Sequence, residues 1–281
     1  MLTIGAAFYQ LRTSLQARYD ESEATAIAHI VLETVSGLSR LQRLSEKDTT
    51  LNEVQDRRFS EIESQLRGGR PLQYVLGEAP FLGRMFRVDE SVLIPRPETE
   101  ELVEWILADG KADTVLDIGT GSGCIAVSLK LGLGAASVTA LDFSEAALAV
   151  ARANAEALAA GVHFQQQDFL DDTRWTDLPQ YDVIVSNPPY IPLAERAGLE
   201  AHVRDHEPGS ALFVPDEEPL LFYKAIAQFG QTHLKPGGAI YCELHRDHAA
   251  ATADMFSGAG YREVTLREDL HAAPRMLRAK V

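Results

Sequence analysis

A chain of 281 residues with 46% hydrophobic residues has enough apolar material for one large or two modest globular domains, which excludes a disordered protein. A formal net charge of −15 argues against a partner gripped by its phosphate backbone, because such binders present basic stripes, so no stable nucleic-acid binding is expected. The two cysteines, Cys124 and Cys242, sit in apolar surroundings and read as small buried hydrophobes. With no leader-like or membrane-spanning stretch, the expectation is a soluble cytoplasmic protein.

Residues 1–70 predict a helical domain, since apolar residues recur at helical spacing in Phe8, Leu11 and Leu15 and again in Ala28, Val31, Leu32 and Val35. Asp20 with Glu23, and Thr50 with Glu53, have capping-box spacing, and Gly68-Gly69 ahead of Pro71 closes the last helix. No catalytic constellation falls here, so this domain is either a stabilising appendage or a recognition element. Residues 71–92 change character: Tyr74-Val75-Leu76 before Gly77, then Phe81, Gly83, Phe86 and Val88, predict a β-hairpin joining two domains. Next comes Leu93-Ile94-Pro95-Arg96-Pro97-Glu98-Thr99-Glu100. Pro97 suits the first position of a helix and the acids suit the positive end of its dipole. Arg96 reads first as an ion-pair partner and second as a ligand contact.

From Thr114 strand-like runs alternate with helical patterns: Thr114 to Ile118, Val138 to Leu141, Val162 to Gln165, Tyr181 to Ser186 and Ala239 to Leu244. Such alternation predicts a parallel sheet covered by helices, with ligands beyond the carboxyl ends of its strands. The first strand runs into Asp117-Ile118-Gly119-Thr120-Gly121-Ser122-Gly123, where glycines let the backbone approach a ligand and a helix N-terminus offers free N–H groups. The spacing is Gly-x-Gly-x-Gly, and Cys124 stands where a dinucleotide fingerprint needs glycine. With Asp117 ahead of it, this tighter loop looks like the S-adenosylmethionine site of class I methyltransferases. Asp142, about 20 residues past the loop, is placed to accept from ribose hydroxyls or to cap the helix near Ser144. Asp168 suits an adenine amine and Phe169 an adenine face. Pro236-Gly237-Gly238 reads as a turn before the last of these strands. His245 and His248 have metal-like spacing but no third ligand in the pattern, so no metal is assigned and a solvated helix start is expected.

Asn187-Pro188-Pro189-Tyr190 leaves the fourth strand. Proline lacks an N–H and biases its predecessor toward extended backbone, so the loop is stiff. It offers the Asn187 amide oxygen and the Pro188 carbonyl as neighbouring acceptors beside the Tyr190 ring. Two acceptors and a ring suit a planar NH2 group, either a carboxamide or an exocyclic nucleobase amine. An ordinary proline-rich strand exit is the bland alternative.

Pro71-Leu72-Gln73-Tyr74, the Leu93–Glu100 stretch, the glycine loop and Asn187-Pro188-Pro189-Tyr190 together resemble the release factor glutamine methyltransferases, the PrmC/HemK family, from about residue 71 to the C-terminus. The resemblance implies an α/β, Rossmann-like class I methyltransferase with a seven-stranded sheet, whose final antiparallel pair fits Tyr261 to Leu266 and Arg275 to Lys280. The helical domain over 1–70 matches the family's in size and position and is expected to recognise the substrate, because a lone carboxamide offers too few contacts for selectivity; a hairpin linker over 71–92 and a catalytic domain over 93–281 follow. S-adenosylmethionine, with S-adenosylhomocysteine as product, would meet Gly119, Thr120, Gly121, Ser122, Gly123, Asp142, Asp168, Phe169 and Asn187. Asn187, Pro188, Pro189 and Tyr190 would hold the glutamine of the Gly-Gly-Gln motif of peptide-chain release factors for methylation at its side-chain nitrogen. Two departures stand out: Phe169 where many members carry tryptophan, and Val214 to Leu220 where many carry Gly-Gly-x-Asp-Gly-Leu. The runner-up is an N6-adenine methyltransferase acting on nucleic acid, which the acidic balance disfavours. A cofactor-binding interaction module would not need Asn187 or the double proline.

Overall fold

The computed structural model describes residues 1–280 and divides into two compact units, one of residues 1–77 with 201–206 and one of residues 78–200 and 207 onward. The first unit holds α1 (Ile4–Leu15), α2 (Glu21–Ser36), α3 (Arg40–Ser45), α4 (Glu53–Arg67) and α5 (Leu72–Leu76). The helical spacing predicted there is what buries: Leu11 and Leu15 of α1 and Ala28, Val31, Leu32 and Val35 of α2 form its core with Phe59 and Leu66 of α4. Asp20 caps α2 by accepting from the Glu23 amide at 2.8 Å. The cap of α4 lies two residues beyond the expected Thr50. Asn52 and Gln55 each accept from the other's backbone N–H at 3.0 Å, and Thr50 instead forms a bridge with Thr3. Tyr74 to Leu76 are helical rather than part of a hairpin. Their aromatic and β-branched residues favour strand locally, but Val75 and Leu76 pack on the helical core and Gly77, at φ +77°, ends the turn.

The second unit opens with the hairpin β1 (Glu78–Phe81) and β2 (Arg84–Arg87), then α6 (Pro97–Asp109), β3 (Thr114–Ile118), α7 (Cys124–Leu133), β4 (Ser137–Asp142), α8 (Glu145–Ala157), β5 (Val162–Gln166) and β6 (Tyr181–Ser186). After β7 (Ile191–Pro192), the short helix α9 (Ala201–His206) groups with the first unit. The chain continues through β8 (Phe213–Val214), α10 (Leu221–His233), β9 (Leu234–Glu243), α11 (Ala249–Gly258), β10 (Thr265–Glu268) and β11 (Pro274–Lys280). Seven strands form one sheet in the order β10-β11-β9-β6-β3-β4-β5, with β11 antiparallel to both neighbours and the other pairs parallel. Val115, Val138, Val183, Val185 and Tyr241 face one core, while Leu116, Leu141, Ile184, Ile240 and Cys242 face the other. Burial on both faces explains why these strands read as continuous apolar runs.

Two expectations are corrected. Pro236-Gly237-Gly238 lies inside β9, which begins at Leu234. Tyr181 pairs with Leu234 and Val183 with Ala239, so two steps along β6 match five along β9. Gly237, at φ +80°, permits that bulge where the sequence suggests a turn. The segment before Thr265 is also outside the ladder. Tyr261 is buried and donates its hydroxyl to the Ala227 carbonyl at 2.8 Å, serving as an anchor rather than a strand residue. Because β3 has β4 on one side and β6 on the other, connections diverge at its carboxyl end and open a cleft there.

Candidate active site

The cleft encloses about 1040 Å³ of empty space, its open mouth included. At one end lies the loop after β3. Gly119 and Thr120 donate their N–H groups to the Leu141 carbonyl at 2.9 Å, and the Gly121 N–H donates to Asp142 Oδ2 at 2.9 Å. Gly121 sits at φ +54°, and a Cβ built there meets nothing within 4 Å. Gly123, at φ +80°, brings a built Cβ to 3.0 Å from the Ala151 side chain. Glycine is thus needed at the first position for backbone shape and at the second for close packing of α7 on α8 as well.

Asp117 lies beneath this loop and not in the cleft. Its Oδ2 accepts from Thr120 Oγ1 at 2.6 Å and from the Ala126 N–H at 3.2 Å, while Oδ1 has no partner among the described residues. Full burial pushes its carboxyl up to about 7. Asp142 does line the cleft. Its Oδ1 accepts from the Ser144 N–H at 2.9 Å, but Ser144 itself, accepting from the Ala147 N–H, caps α8, so Asp142 steadies the capping residue without being the cap. Burial raises this carboxyl too, against the pull of its backbone donors.

Asp168 and Phe169 line the same end. The Phe169 ring stacks on Trp175 at 5.3 Å and meets Phe229 edge-on at 5.3 Å, so it belongs to the core as well as to the cleft wall. Two residues at this end carry no sequence-based assignment. Phe143 follows Asp142 and is 53% exposed although it lines the cleft, and Gln167 is buried with Nε2 unpartnered among the described residues. An aromatic ring left in solvent at a strand end is the signal that would have found Phe143.

At the other end, Asn187, Pro188 and Pro189 line the cleft, facing Leu93, Pro95, Arg96 and Thr99. Asn187 Nδ2 donates to Thr99 Oγ1 at 3.1 Å, and Thr99 Oγ1 donates to Glu243 Oε2 at 2.6 Å. Tyr190 is not among the lining residues. Its hydroxyl donates to Glu243 Oε1 at 3.0 Å, and its ring packs toward the core and edge-on to His245 at 5.9 Å. Burial and the adjoining Glu243 charge push the Tyr190 hydroxyl well above its usual range. Burial also raises the Glu243 carboxyl, which Thr99, Tyr190 and the charge of Arg275 oppose.

Arg96 holds both of its expected positions: it lines the cleft, and its Nη2 lies 2.5 Å from Glu207 Oε1. Glu207 Oε2 also accepts from the Ile94 N–H at 3.1 Å, tying the two loops that flank this end. His245 and His248 frame a helical turn ahead of α11, but His245 is not solvated. Its side chain is 12% exposed, behind Tyr190, with Nε2 3.2 Å from Glu195 Oε2.

Residues 6–77 match the PrmC N-terminal domain and residues 97–200 the methyltransferase small domain. A release factor glutamine methyltransferase of Bacteroides thetaiotaomicron is 43% identical over 272 residues, covering 96% of this chain and 97% of that protein. Proteins of the same name from Flavobacterium psychrophilum and Lactococcus lactis are 38% and 39% identical, covering 96% and 89% of this chain and 96% and 90% of their own lengths. Among solved structures, the catalytic domain of hMettl16 in complex with the MAT2A 3′UTR hairpin 6 superimposes with a TM-score of 0.55. It is 20% identical over 76% of this chain and 81% of that one, a likeness of fold alone.

Proposed function

The chain belongs to the release factor glutamine methyltransferases, and from that membership we propose that its cleft carries S-adenosylmethionine at the glycine-loop end and a glutamine side chain at the Asn187 end. It is a methyltransferase of release-factor glutamine, and its relatives do not favour the nucleic-acid alternative.

Three observations support the fit to the cofactor. The loop Gly119-Thr120-Gly121-Ser122-Gly123 keeps open space where side chains would otherwise project at Gly119 and Gly121. Asp142 presents a carboxylate at a strand end, suited to ribose hydroxyls. Gln167 Nε2 is a buried donor in need of an acceptor, such as a purine ring nitrogen. Asp168 would accept from the adenine amine, with Phe169 and Phe143 against the ring. When bound, S-adenosylmethionine supplies a methyl group already activated by its sulfonium and leaves as S-adenosylhomocysteine.

The chain's own residues orient the acceptor. Asn187 Oδ1 and the Pro188 carbonyl would accept the two amide hydrogens of the glutamine of a Gly-Gly-Gln motif, aiming its nitrogen and favouring the positive charge that develops there. Proline stiffness at 188 and 189 keeps these acceptors from relaxing toward water. The observation that carries this reading is that one cleft is lined both by the glycine loop and by Asn187-Pro188-Pro189.

A lone carboxamide offers few contacts, so selectivity must come from surface remote from the reacting nitrogen. The helical domain, over residues 1–70, is proposed to read the folded release factor, with a linker over 71–92 that holds α5 and the hairpin of β1 and β2, and the catalytic domain over 93–281, whose last residue lies outside the described ones. The same reading places the protein in the cytoplasm, supported by two free buried cysteines and by the lack, among the described residues, of any helix long and apolar enough to cross a membrane. Methyl transfer to intact release factor, to a Gly-Gly-Gln peptide and to DNA tests the whole reading. Intact factor should be the best substrate by far. A peptide used equally well would refute remote recognition, and preferential labelling of DNA would refute the glutamine site.

A further inference from the structure

Behind Asn187 the hydrogen bonds run in one direction. With Glu243 ionised, its carboxylate only accepts, and at 2.6 Å the Thr99 hydroxyl gives its single proton to Glu243 Oε2. The Thr99 oxygen is then left as an acceptor toward Asn187. Were the Asn187 amide turned the other way, two acceptor oxygens would face each other across 3.1 Å, so Nδ2 faces Thr99 and Oδ1 faces away from it. The second oxygen of Glu243 accepts from Tyr190. One carboxylate on β9 therefore fixes the first and last residues of the tetrapeptide, the first through α6.

Glu243 is 1% exposed, and its two side-chain donors are neutral hydroxyls. A carboxylate so placed is an expensive way to fill a core, since burial of a charge is unfavourable unless it is closely compensated. The charge of Arg275 compensates part of that cost, and the rest of the compensation runs through the two hydroxyls that lead to the tetrapeptide.

We propose that Glu243, through Thr99, is a positioning residue that sets Asn187 as a hydrogen-bond acceptor toward the substrate amide, and that this polarity selects an NH2 group over a carbonyl or carboxylate. Asn187 left without this chain can rotate about its terminal torsion and present Nδ2, a donor, to the amide it must receive. The proposal rests on the reading of Asn187 as the acceptor of the glutamine amide.

The experiment compares full-length Asn187→Ala, Thr99→Val, Thr99→Ser and Glu243→Gln in methylation of intact release factor, with cofactor affinity by calorimetry and thermal unfolding alongside. Valine matches threonine in shape but removes the hydroxyl, and serine restores it. Thr99→Val should lower kcat about 10- to 100-fold with cofactor affinity little changed and the unfolding temperature lowered by the donor lost to Glu243, and Thr99→Ser should restore both, kcat to within about threefold of the parent. Glu243→Gln should fall with Thr99→Val if it folds, and if it does not, the threonine pair carries the test alone. Loss of turnover in Asn187→Ala with Thr99→Val near parental kcat would overturn the positioning role and leave the Asn187 reading intact. Parental turnover in Asn187→Ala would overturn both.

Discussion

At the glycine-loop end of the cleft the loop is shaped by its backbone and the surrounding side chains follow consecutive strand ends, so the parts lie close in sequence: Gly121 and the Asp142 carboxylate it meets are 21 residues apart. At the Asn187 end they are made by Thr99 of α6 and by loop residues such as Asn187, and the Glu243 of β9 that holds Thr99 from behind is 144 residues away from it. The first arrangement is set by turn geometry and survives many changes of side chain. The second exists only once the sheet is assembled, and its members hang on one chain of hydrogen bonds through Thr99 and Glu243. A cofactor common to many enzymes is met with the generic device, and the acceptor amide with the specialised one.

The contrast breaks if Asn187→Ala behaves like a cofactor-site variant. The expected outcome is the largest effect of all, a loss of about a hundredfold or more in kcat that far exceeds any loss of cofactor affinity, with the unfolding temperature near that of the parent. Steady-state kinetics beside calorimetry distinguish these.

At the other end, Asp142→Ala should weaken cofactor binding more than Asp168→Ala, by about 1.5 to 3 kcal/mol for each charge-assisted hydrogen bond lost. Asp142 is buried and also braces Gly121, whereas Asp168 is exposed and its carboxylate accepts from the Leu170 N–H of its own loop. Equal losses in the two variants would erase the distinction.

Asp117 sharpens the comparison through stability rather than binding. Its carboxyl is held near 7 in the fold against an ordinary 3.8, so the fold favours the protonated form. That contribution is complete below about 3.8 and is lost as pH rises through about 7, at a slope of at most about 1.4 kcal/mol per pH unit. Asp117→Asn should therefore gain stability relative to the parent between pH 4 and pH 8, as chemical unfolding at the two pH values would measure. A difference that stays flat with pH would mean Asp117 is ionised throughout.

What was legible in the sequence follows the same division. The glycine loop, Asp142 and Asp168-Phe169 are contiguous signals at strand ends, and Asn187-Pro188-Pro189-Tyr190 is a tetrapeptide whose stiffness is local. Thr99 lay inside a recognised stretch without a role, and Glu243 passed as one more residue of a strand, because the contact that gives both their meaning is tertiary. An acid closing an apolar run was the one available hint. The sequence placed Tyr190 as a ring beside the acceptors, and the structure turns its hydroxyl to Glu243, a partner no local pattern could name. The misplaced cap at Thr50 and the helical Tyr74 to Leu76 are errors of boundary, where competing local signals were decided by packing.

Asn154 ties two distant backbones with one amide. Its Oδ1 accepts from the Arg87 N–H at 2.7 Å, while its Nδ2 donates to the Arg87 carbonyl at 3.0 Å and to the Ser122 carbonyl at 2.8 Å. The end of β2 and the glycine loop therefore share one clamp on α8. Exchange of the Arg87 amide hydrogen with deuterated solvent requires that clamp to open, so its rate is a clock for fluctuations of the loop. A ligand that quiets the loop slows that clock, and the hairpin reports on a site none of its own residues touch.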